Sequence, residues 1–325
     1  MKAIRQDQFG PPDVLRLVDT EPPVPGPDQA LVRVRAAALN PYDWHMLRGD
    51  PRVARLMGGT GLRRPRHCVA GLDAAGEVVA VGSRVVDLSV GEEVYGFCSG
   101  AFAEYAVASW DRLAPKPAGT TFAEAAALPV AATTALRGLG AVAGVTAGRH
   151  VLVNGAAGGV GTCAVQIAAA LGAEVTAVCG PGNIGLVRSL GASHAVDYTA
   201  ADFTERRGRL DVVLDNVGNH SLSRLRRTLR PGGTLVLNAG GSPGHLVGAV
   251  GPMLRAVVVG PFVRVRLRVL PTRFDRAELL EVTSLVETGQ LRPVIERAYP
   301  LAEVADALRQ VERGHVRGKL VVSVA

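Results

Sequence analysis

Val151-Leu152-Val153-Asn154-Gly155-Ala156-Ala157-Gly158-Gly159-Val160-Gly161 is the stretch on which the fold turns. An apolar strand runs into a glycine-rich turn, and a helix leaves it. Small residues there let the backbone approach a pyrophosphate, and a helix N-terminus offers N–H groups and a partial positive charge. A glycine pattern alone is weak, since an ordinary structural turn carries the same residues. Here the strand–turn–helix context is complete, and a second strand, Glu174 to Cys179, follows at the spacing of a βαβ unit. The pattern predicts a bound dinucleotide on Gly155, Ala156, Gly158, Gly159 and Val160.

Working downstream, a second helix is predicted from Asn183 to Leu190, with strands at Val212-Val213-Leu214 and Thr234-Leu235-Val236-Leu237. Strands alternating with helices imply a doubly wound parallel sheet covered on both faces. Upstream, Phe122 to Leu139 is Ala-rich and reads as helix, with Pro129 interrupting it. Before Thr121 the character changes to short strands. Ala30 to Ala38 alternates Leu31, Val32 and Val34 with Arg33 and Arg35, Gly76 to Gly82 is a second strand, and a polar turn follows. Strands at this spacing predict a barrel-like β unit. The tail from Val263 carries helices at Arg276 to Glu287 and Leu301 to Glu312 and a closing strand at Leu320 to Val324. The expected division is 1–121, a β substrate domain; 122–262, a nucleotide domain; and 263–325, a return to the first.

Bulk properties narrow the function. Of 325 residues, 48% are hydrophobic, which supports a substantial core, and the formal net charge is +7. The run Arg224, Arg226, Arg227 and Arg230 reads as a solvated helix face, because no aromatic stacking motif accompanies it, so no nucleic-acid partner is expected. An anionic cofactor is a better use for the charge. The cysteines Cys68, Cys98, Cys163 and Cys179 form no CxxC pair. The N-terminus lacks the apolar run of a signal peptide, and no stretch predicts a membrane span, so a reducing cytoplasm is the default.

The end of the second nucleotide-domain strand reads Cys179-Gly180-Pro181-Gly182-Asn183. An Asp or Glu there would hold the ribose hydroxyls of NAD. None is present, so a 2′-phosphate meets no repulsion at that point. No Arg or Lys stands there either. Tyr198 and Arg188 are the available phosphate contacts, NADPH is the expected cofactor, and NADH stays open. Asn216 and Val217, then Asn238 and Ala239, end sheet strands where such folds bind ligands.

With both halves in view, the chain resembles the medium-chain dehydrogenase/reductase superfamily. The matching stretches include Ala38-Leu39-Asn40-Pro41-Tyr42-Asp43, Gly71-Leu72-Asp73-Ala74-Ala75-Gly76-Glu77-Val78, Gly91-Glu92-Glu93-Val94-Tyr95-Gly96, Leu128-Pro129-Val130-Ala131-Ala132-Thr133-Thr134-Ala135, Asp215-Asn216-Val217-Gly218 and Arg317-Gly318-Lys319-Leu320. Within it, Asn40 to Trp44 and Gly218 to Ser221 resemble the zinc-free quinone oxidoreductase-like group. The resemblance implies a Rossmann sheet, an α/β fold, joined to a GroES-like β-barrel. Zinc members carry Cys where Asn40 stands and His where Leu72 stands. An amide and an aliphatic side chain cannot replace thiolate and imidazole, and His45 and His67 are lone histidines, so no metal is expected. Relatives usually carry Ser or Thr and a basic residue where this chain has Gly180 and Gly182.

The same resemblance implies hydride transfer from a nicotinamide to a quinone or an α,β-unsaturated carbonyl, whose conjugation spreads the incoming charge. The protein's part is positioning and hydrogen-bond donation. Asn40 is the first choice for orienting the nicotinamide ribose or the substrate. Tyr42 and His45 are the proton-donor choices; otherwise Tyr42 is a core aromatic and His45 a rim residue. Asp43 is expected as a turn or capping carboxylate. Thr133 is placed near the nicotinamide, and Arg317 and Lys319 either reach the cofactor or form a solvated basic turn. Gly180 and Asn183 complete the cofactor set. Alternatives on the same scaffold are a biosynthetic enoyl reductase, a redox-neutral enzyme, and a non-enzymatic nucleotide-binding protein. The apolar run Ala256-Val257-Val258-Val259 is expected as a β edge pairing two copies into a homodimer.

Overall fold

Near the N-terminus β1 (Lys2–Arg5) and β2 (Arg16–Asp19) pair antiparallel, and β3 (Gln29–Ala38) follows. The computed structural model describes residues 1–50, 65, 68–205, 207–238, 256 and 258–324. Ala239, His67 and Val257 lie outside the described residues. Alternation in β3 behaves as the sequence requires: Ala30, Val32 and Val34 are buried, Arg33 is exposed, and Ala36 to Ala38 are all inside. Antiparallel to it run β4 (Asp73–Val81) and β6 (Tyr105–Ser109); β5 (Glu93–Phe97) pairs with β4 and β7 (Leu113–Pro115) with β5. Arg35 and Glu77 form a cross-strand ion pair at 3.0 Å.

Thr121 and Glu124 make a reciprocal capping box that starts the helix Phe122–Ala126. The helix expected from Phe122 to Leu139 is two helices, the second being Pro129–Arg137. Proline cannot donate to a continuing helix but is tolerated in a first turn, so the break falls at Pro129.

Contacts divide the chain into two units: Met1–Thr133, Arg273–Gly289 and Pro293–Ala325 in one, Thr134–Thr272 and Gln290–Arg292 in the other. The second unit is built on a parallel sheet of β8 (His150–Asn154), β9 (Glu174–Cys179), β10 (His194–Asp197), β11 (Leu210–Asp215), β12 (Leu229–Leu237) and β13 (Arg266–Val269). Its spatial order is β10-β9-β8-β11-β12-β13, so the winding reverses between β8 and β11. Val151, Leu152, Val153 and every residue of β11 are buried, as a sheet covered on both faces demands. The described residues Ala256, Val258 and Val259 are helical, against the expected β edge. Their β-branched propensity is a weak preference that tertiary context overrides. The edge position belongs instead to β13, where Leu267 is buried while Arg266 and Arg268 face outward.

The chain then returns to the first unit. Asp275 caps the helix Arg276–Glu287, against which the buried Tyr95 donates its hydroxyl to the Leu279 carbonyl at 2.6 Å. β14 (Ile295–Pro300), the helix Val304–Arg313 and β15 (Lys319–Ser323) finish it, giving the sheet order β14-β15-β3-β4-β5-β7 with β6 on β3. One core gathers Val32, Val34, Val78, Phe102, Leu113, Leu308, Leu320 and Val322. Each such side chain contributes about 1.5–3 kcal/mol by leaving water. The closing strand is therefore held by the same core as the opening ones.

Candidate functional site

The predicted site residues gather in two groups, one in each unit. In the second unit β8 ends at Asn154 and the chain turns at Gly155, whose φ of 74° lies in the left-handed region. A Cβ on Gly161 would stand 2.1 Å from the Gly155 carbonyl oxygen. Only glycine permits that closeness, and it brings the helix Gly159–Ala170 tight against the turn. Its N-cap is Gly158, which has no side chain to satisfy the first amides. Of the predicted set, Ala156 and Gly158 spend their N–H groups on the Val178 and Gly155 carbonyls, at 2.9 and 3.2 Å, while Gly159 and Val160 stand in the helix's first turn, where N–H groups lack an intrahelical partner, a fit for an anionic diphosphate.

The cradle lies where the winding reverses. A Cβ on Gly155 would meet Val217 Cγ2 at 2.7 Å, so the loops after β8 and β11 touch. A chain of side-chain amides joins the strand ends. Asn154 Nδ2 donates to Asp215 Oδ1 at 2.9 Å and to Asn219 Oδ1 at 3.0 Å. Asn216 Nδ2 donates to the Asn154 carbonyl at 3.1 Å, and Asn238 Nδ2 to Asn216 Oδ1 at 2.7 Å. Asp215 also accepts from the backbone N–H groups of Val217 and Gly218. Asn216, Val217 and Asn238 are therefore together, as strand-end placement implied. Asn154 and Asp215 were missed as site residues; the available signal was a polar residue closing an otherwise apolar strand.

At the end of β9, Gly180 and Tyr198 face each other: a Cβ on Gly180 would lie 3.4 Å from the Tyr198 hydroxyl. Asn183 starts the next helix, its backbone N–H bonded to the Gly180 carbonyl, and Arg188 is exposed. One carboxylate is nearby after all. Asp197 pairs with Cys179 across the strands, and its charge, after burial, helps raise the Cys179 thiol above its ordinary range. Its Oδ1 is engaged by the N–H and hydroxyl of Thr199, at 2.9 and 2.7 Å.

The first unit holds a buried charged cluster that spacing along the chain does not reveal. Asn40 stands where β3 gives way to the helix Pro41–Arg48. Asp43 Oδ2 accepts the Asn40 backbone N–H at 2.7 Å, the capping role expected of it. Asn40 Nδ2 donates to Asp73 Oδ2 at 3.0 Å, and Lys319 Nζ donates to Asn40 Oδ1 and, at 3.4 Å, to Asp73 Oδ2. Asp73 also accepts from the Val130 N–H at 3.3 Å, tying in the helix that carries Thr133. Thr133 is buried and its hydroxyl donates to the Pro129 carbonyl. All four cluster residues are buried. Burial pushes the Asp73 carboxyl up, opposed by Lys319 and its hydrogen bonds. Asp43 rises to about 7, first from burial, with the Asp73 charge adding and the Asn40 hydrogen bond and Lys319 opposing.

Lys319 is therefore no solvated turn: its ammonium belongs to Asn40 and Asp73. Arg317 is exposed, with its backbone N–H on Glu296. Tyr42 is 39% exposed, so it is not a core aromatic, and desolvation still raises its phenol. His45 stacks on Trp44 with centroids 3.9 Å apart, and its Nδ1 lies 3.2 Å from the Asp50 carbonyl oxygen. Among the described residues no three His, Cys, Asp or Glu side chains gather as a metal site. No described helix is long and apolar enough to cross a membrane.

A glycine cradle at the switch point of a doubly wound sheet, in a chain that also builds an antiparallel β unit, defines a nicotinamide-dependent dehydrogenase or reductase. Residues 26–118 match the alcohol dehydrogenase GroES-like domain and residues 190–322 the zinc-binding dehydrogenase domain. The chain is similar to the mouse mitochondrial NAD(P)H oxidoreductase RTN4IP1, 34% identical, the match covering 98% of this chain and 88% of that one. It is 35% identical to the chloroplastic NADPH-dependent alkenal/one oxidoreductase of Arabidopsis thaliana, covering 99% and 79%. The solved quinone oxidoreductase of Coxiella burnetii superposes with a TM-score of 0.86 at 34% identity, over 100% of this chain and 99% of that one. This chain belongs to the medium-chain dehydrogenase/reductase superfamily, in its quinone oxidoreductase-like group.

Proposed function

We propose that this protein reduces a quinone or an α,β-unsaturated carbonyl with hydride from NADPH, without zinc. The observation that carries this is the cradle at Gly155 to Gly161, where the missing Cβ of Gly161 lets the helix start tight against the Gly155 turn at the switch point, the place where such sheets bind a diphosphate. The names of the relatives supply the substrate class. Bound nicotinamide would provide the hydride. The cradle would bind the diphosphate, while Asn216, Val217, Asn238 and Thr133 would orient the cofactor. Asn40 would hold an oxygen of the ribose or substrate, and Tyr42 or His45 would return the proton. The raised Tyr42 phenol keeps its proton at neutral pH, which a donor needs. NADPH over NADH is supported by the lack of an acid on β9 after Cys179, by Tyr198 beside Gly180, and by the Arabidopsis relative's name.

The zinc-free assignment rests on the donor chemistry of Asn40 and Leu72. Burial also pushes the Cys98 thiol up to about 12, which makes it a poor ligand. A homodimer belongs to the same proposal. β13 ends the strand order, and Phe262 nearby is 86% exposed, an apolar ring that a second copy would cover. The cytoplasm is proposed as the compartment because the described cysteines form no disulfide.

The test is fluorescence titration with NADPH and NADH, then oxidation by a panel of quinones and enones. Tight NADPH binding with turnover supports the proposal. Turnover confined to enoyl thioesters moves the assignment to a biosynthetic enoyl reductase. Binding without turnover on any acceptor leaves a nucleotide-binding protein, and failure to bind either cofactor sinks hydride transfer altogether.

A further inference from the structure

Charge is not spread evenly along this chain. Residues 206–268 contain eleven arginines, no lysine and two acids, Asp211 and Asp215. That surplus of nine exceeds the +7 of the whole chain, so the remainder is slightly acidic. The fold then gathers much of the surplus at one end of the parallel sheet. Arg209 immediately precedes β11, Arg230 is the second residue of β12, and Arg266 opens β13. The Gly208 N–H donates to the Arg227 carbonyl at 2.9 Å, the Arg209 N–H to the Thr228 carbonyl at 3.0 Å, and the Gly232 N–H to the Arg264 carbonyl at 2.8 Å. These bonds tie the segments that carry Arg207, Arg209, Arg226, Arg227, Arg264 and Arg266 into one rim.

Most of that charge is uncompensated. Asp211 is buried and takes Arg149 and Arg230, at 3.1 and 3.4 Å, and Asp202 takes Arg224. The six rim arginines form no ion pair among the described residues. Arg226 is half-buried and the other five are exposed. A helix C-terminus accounts for Arg226 and Arg227, which stand in the last turn of Leu222–Thr228. It does not account for the other four. Nor can the rim serve the cofactor. The rim is at the N-terminal ends of the strands and the cradle at the C-terminal end of β8, and the length of the neighbouring β11 separates the two by roughly 16–20 Å. Like charges held together repel one another, and an external polyanion relieves that repulsion.

We propose that this rim docks the protein on the anionic surface of a phospholipid bilayer, by charge and without insertion. Anionic partners differ in what else they require. A single-stranded nucleic acid uses aromatic rings for stacking, and a protein partner uses an apolar centre in the contact. Phe262, two residues before Arg264, is the exposed ring that a second copy would cover, which leaves the rim with neither. A bilayer surface requires only basic side chains held within a Debye length of it, each strengthening binding about fivefold. The guanidinium fork also matches the oxygens of lipid phosphate. This inference goes beyond the reductase reading and does not depend on it.

The test is co-sedimentation of the full chain with vesicles of phosphatidylcholine and phosphatidylglycerol, set against vesicles of phosphatidylcholine alone, at low and high salt. Binding to the anionic vesicles that high salt releases is expected, with none to the neutral ones. Reversing two rim charges, Arg209→Glu with Arg264→Glu, should weaken that binding about twentyfold or more. Arg16→Glu with Arg313→Glu, two exposed positions in the other unit, changes the net charge equally and should leave binding within about fivefold of wild type. Should the reversed rim variant fail to fold, Arg209→Gln with Arg264→Gln removes the same two charges and is read in the same assay. Failure to bind the anionic vesicles at low salt, equal binding to both kinds of vesicle, or equal losses in the rim and control variants overturns the proposal. So does tighter binding to DNA than to the anionic vesicles at the same salt. A protein that docks yet reduces no acceptor loses the reductase reading and keeps this one.

Discussion

The nucleotide cradle and the Asn40 cluster are two opposite ways of preparing a protein for a ligand. The cradle works by absence. Gly155 and Gly161 lack the Cβ atoms that would strike Val217 and the Gly155 carbonyl, and the binding groups are backbone amides that carry no formal charge. The cluster works by burying charge, with Asp43, Asp73 and Lys319 set around one amide. A cradle of backbone amides pays little desolvation before its ligand arrives. A buried ionic cluster is costly to assemble, yet once assembled it holds one arrangement against alternatives. The first is a binding device and the second an orienting one, so removing a member should cost different things.

The largest effect is expected at the cluster. Lys319→Met leaves the Asp73 carboxylate buried without its cation and should cost about 3–5 kcal/mol in urea unfolding. A variant as stable as wild type would mean that the cluster does not carry its charges, and the contrast with the cradle would fail. Next comes Gly161→Ala, whose new methyl must push back the Gly155 carbonyl. It should cost about 1–3 kcal/mol and abolish NADPH binding, whereas Lys319→Met should spare binding in whatever fraction folds.

The third expectation concerns pH. Asp43 titrates near 7 in the fold, well above the ordinary carboxylate value of 3.8. Between those values the folded protein holds a proton that the unfolded chain does not. The stability this brings is present in acid and is lost as pH rises through about 7. Asp43→Asn can still accept the Asn40 N–H. Relative to it, wild type should lose about 2–3 kcal/mol between about pH 5 and 8; parallel stability curves for the two proteins would remove the strained carboxylate from the account. The smallest effect is at the cofactor end. Removing the charge of Asp197 by Asp197→Asn should tighten NADPH by about 0.5 kcal/mol and leave NADH unchanged. An equal change for both cofactors would place the 2′-phosphate elsewhere.

Legibility in the sequence followed the same contrast. The cradle could be read because a strand, a glycine turn and a helix are consecutive, and each is a local consequence of residue type. The helix from Phe122 and its interruption at Pro129 were both legible, because proline's missing N–H acts locally. The edge near Ala256 was misplaced because four apolar residues do not reveal whether a neighbouring strand is available to pair with them. Asp73 stood inside a quoted motif and passed as an ordinary residue, and Lys319 was read as either a cofactor contact or a solvated basic turn, not as the partner of Asn40 and Asp73. Their meaning depends on contact with Asn40, which is 33 residues from Asp73 and 279 from Lys319.

The sequence alone therefore determined the class of fold, the cofactor turn and the residues that end its strands, because period, glycine placement and strand–helix alternation act over a few residues. Only the tertiary structure brought Lys319 on the closing strand β15 to Asn40 and Asp73 on β3's end and β4. Pairing between strands from opposite ends of the chain sets that juxtaposition. Electrostatic interaction between buried groups depends on the distance and dielectric that folding creates, and neither is written in sequence spacing.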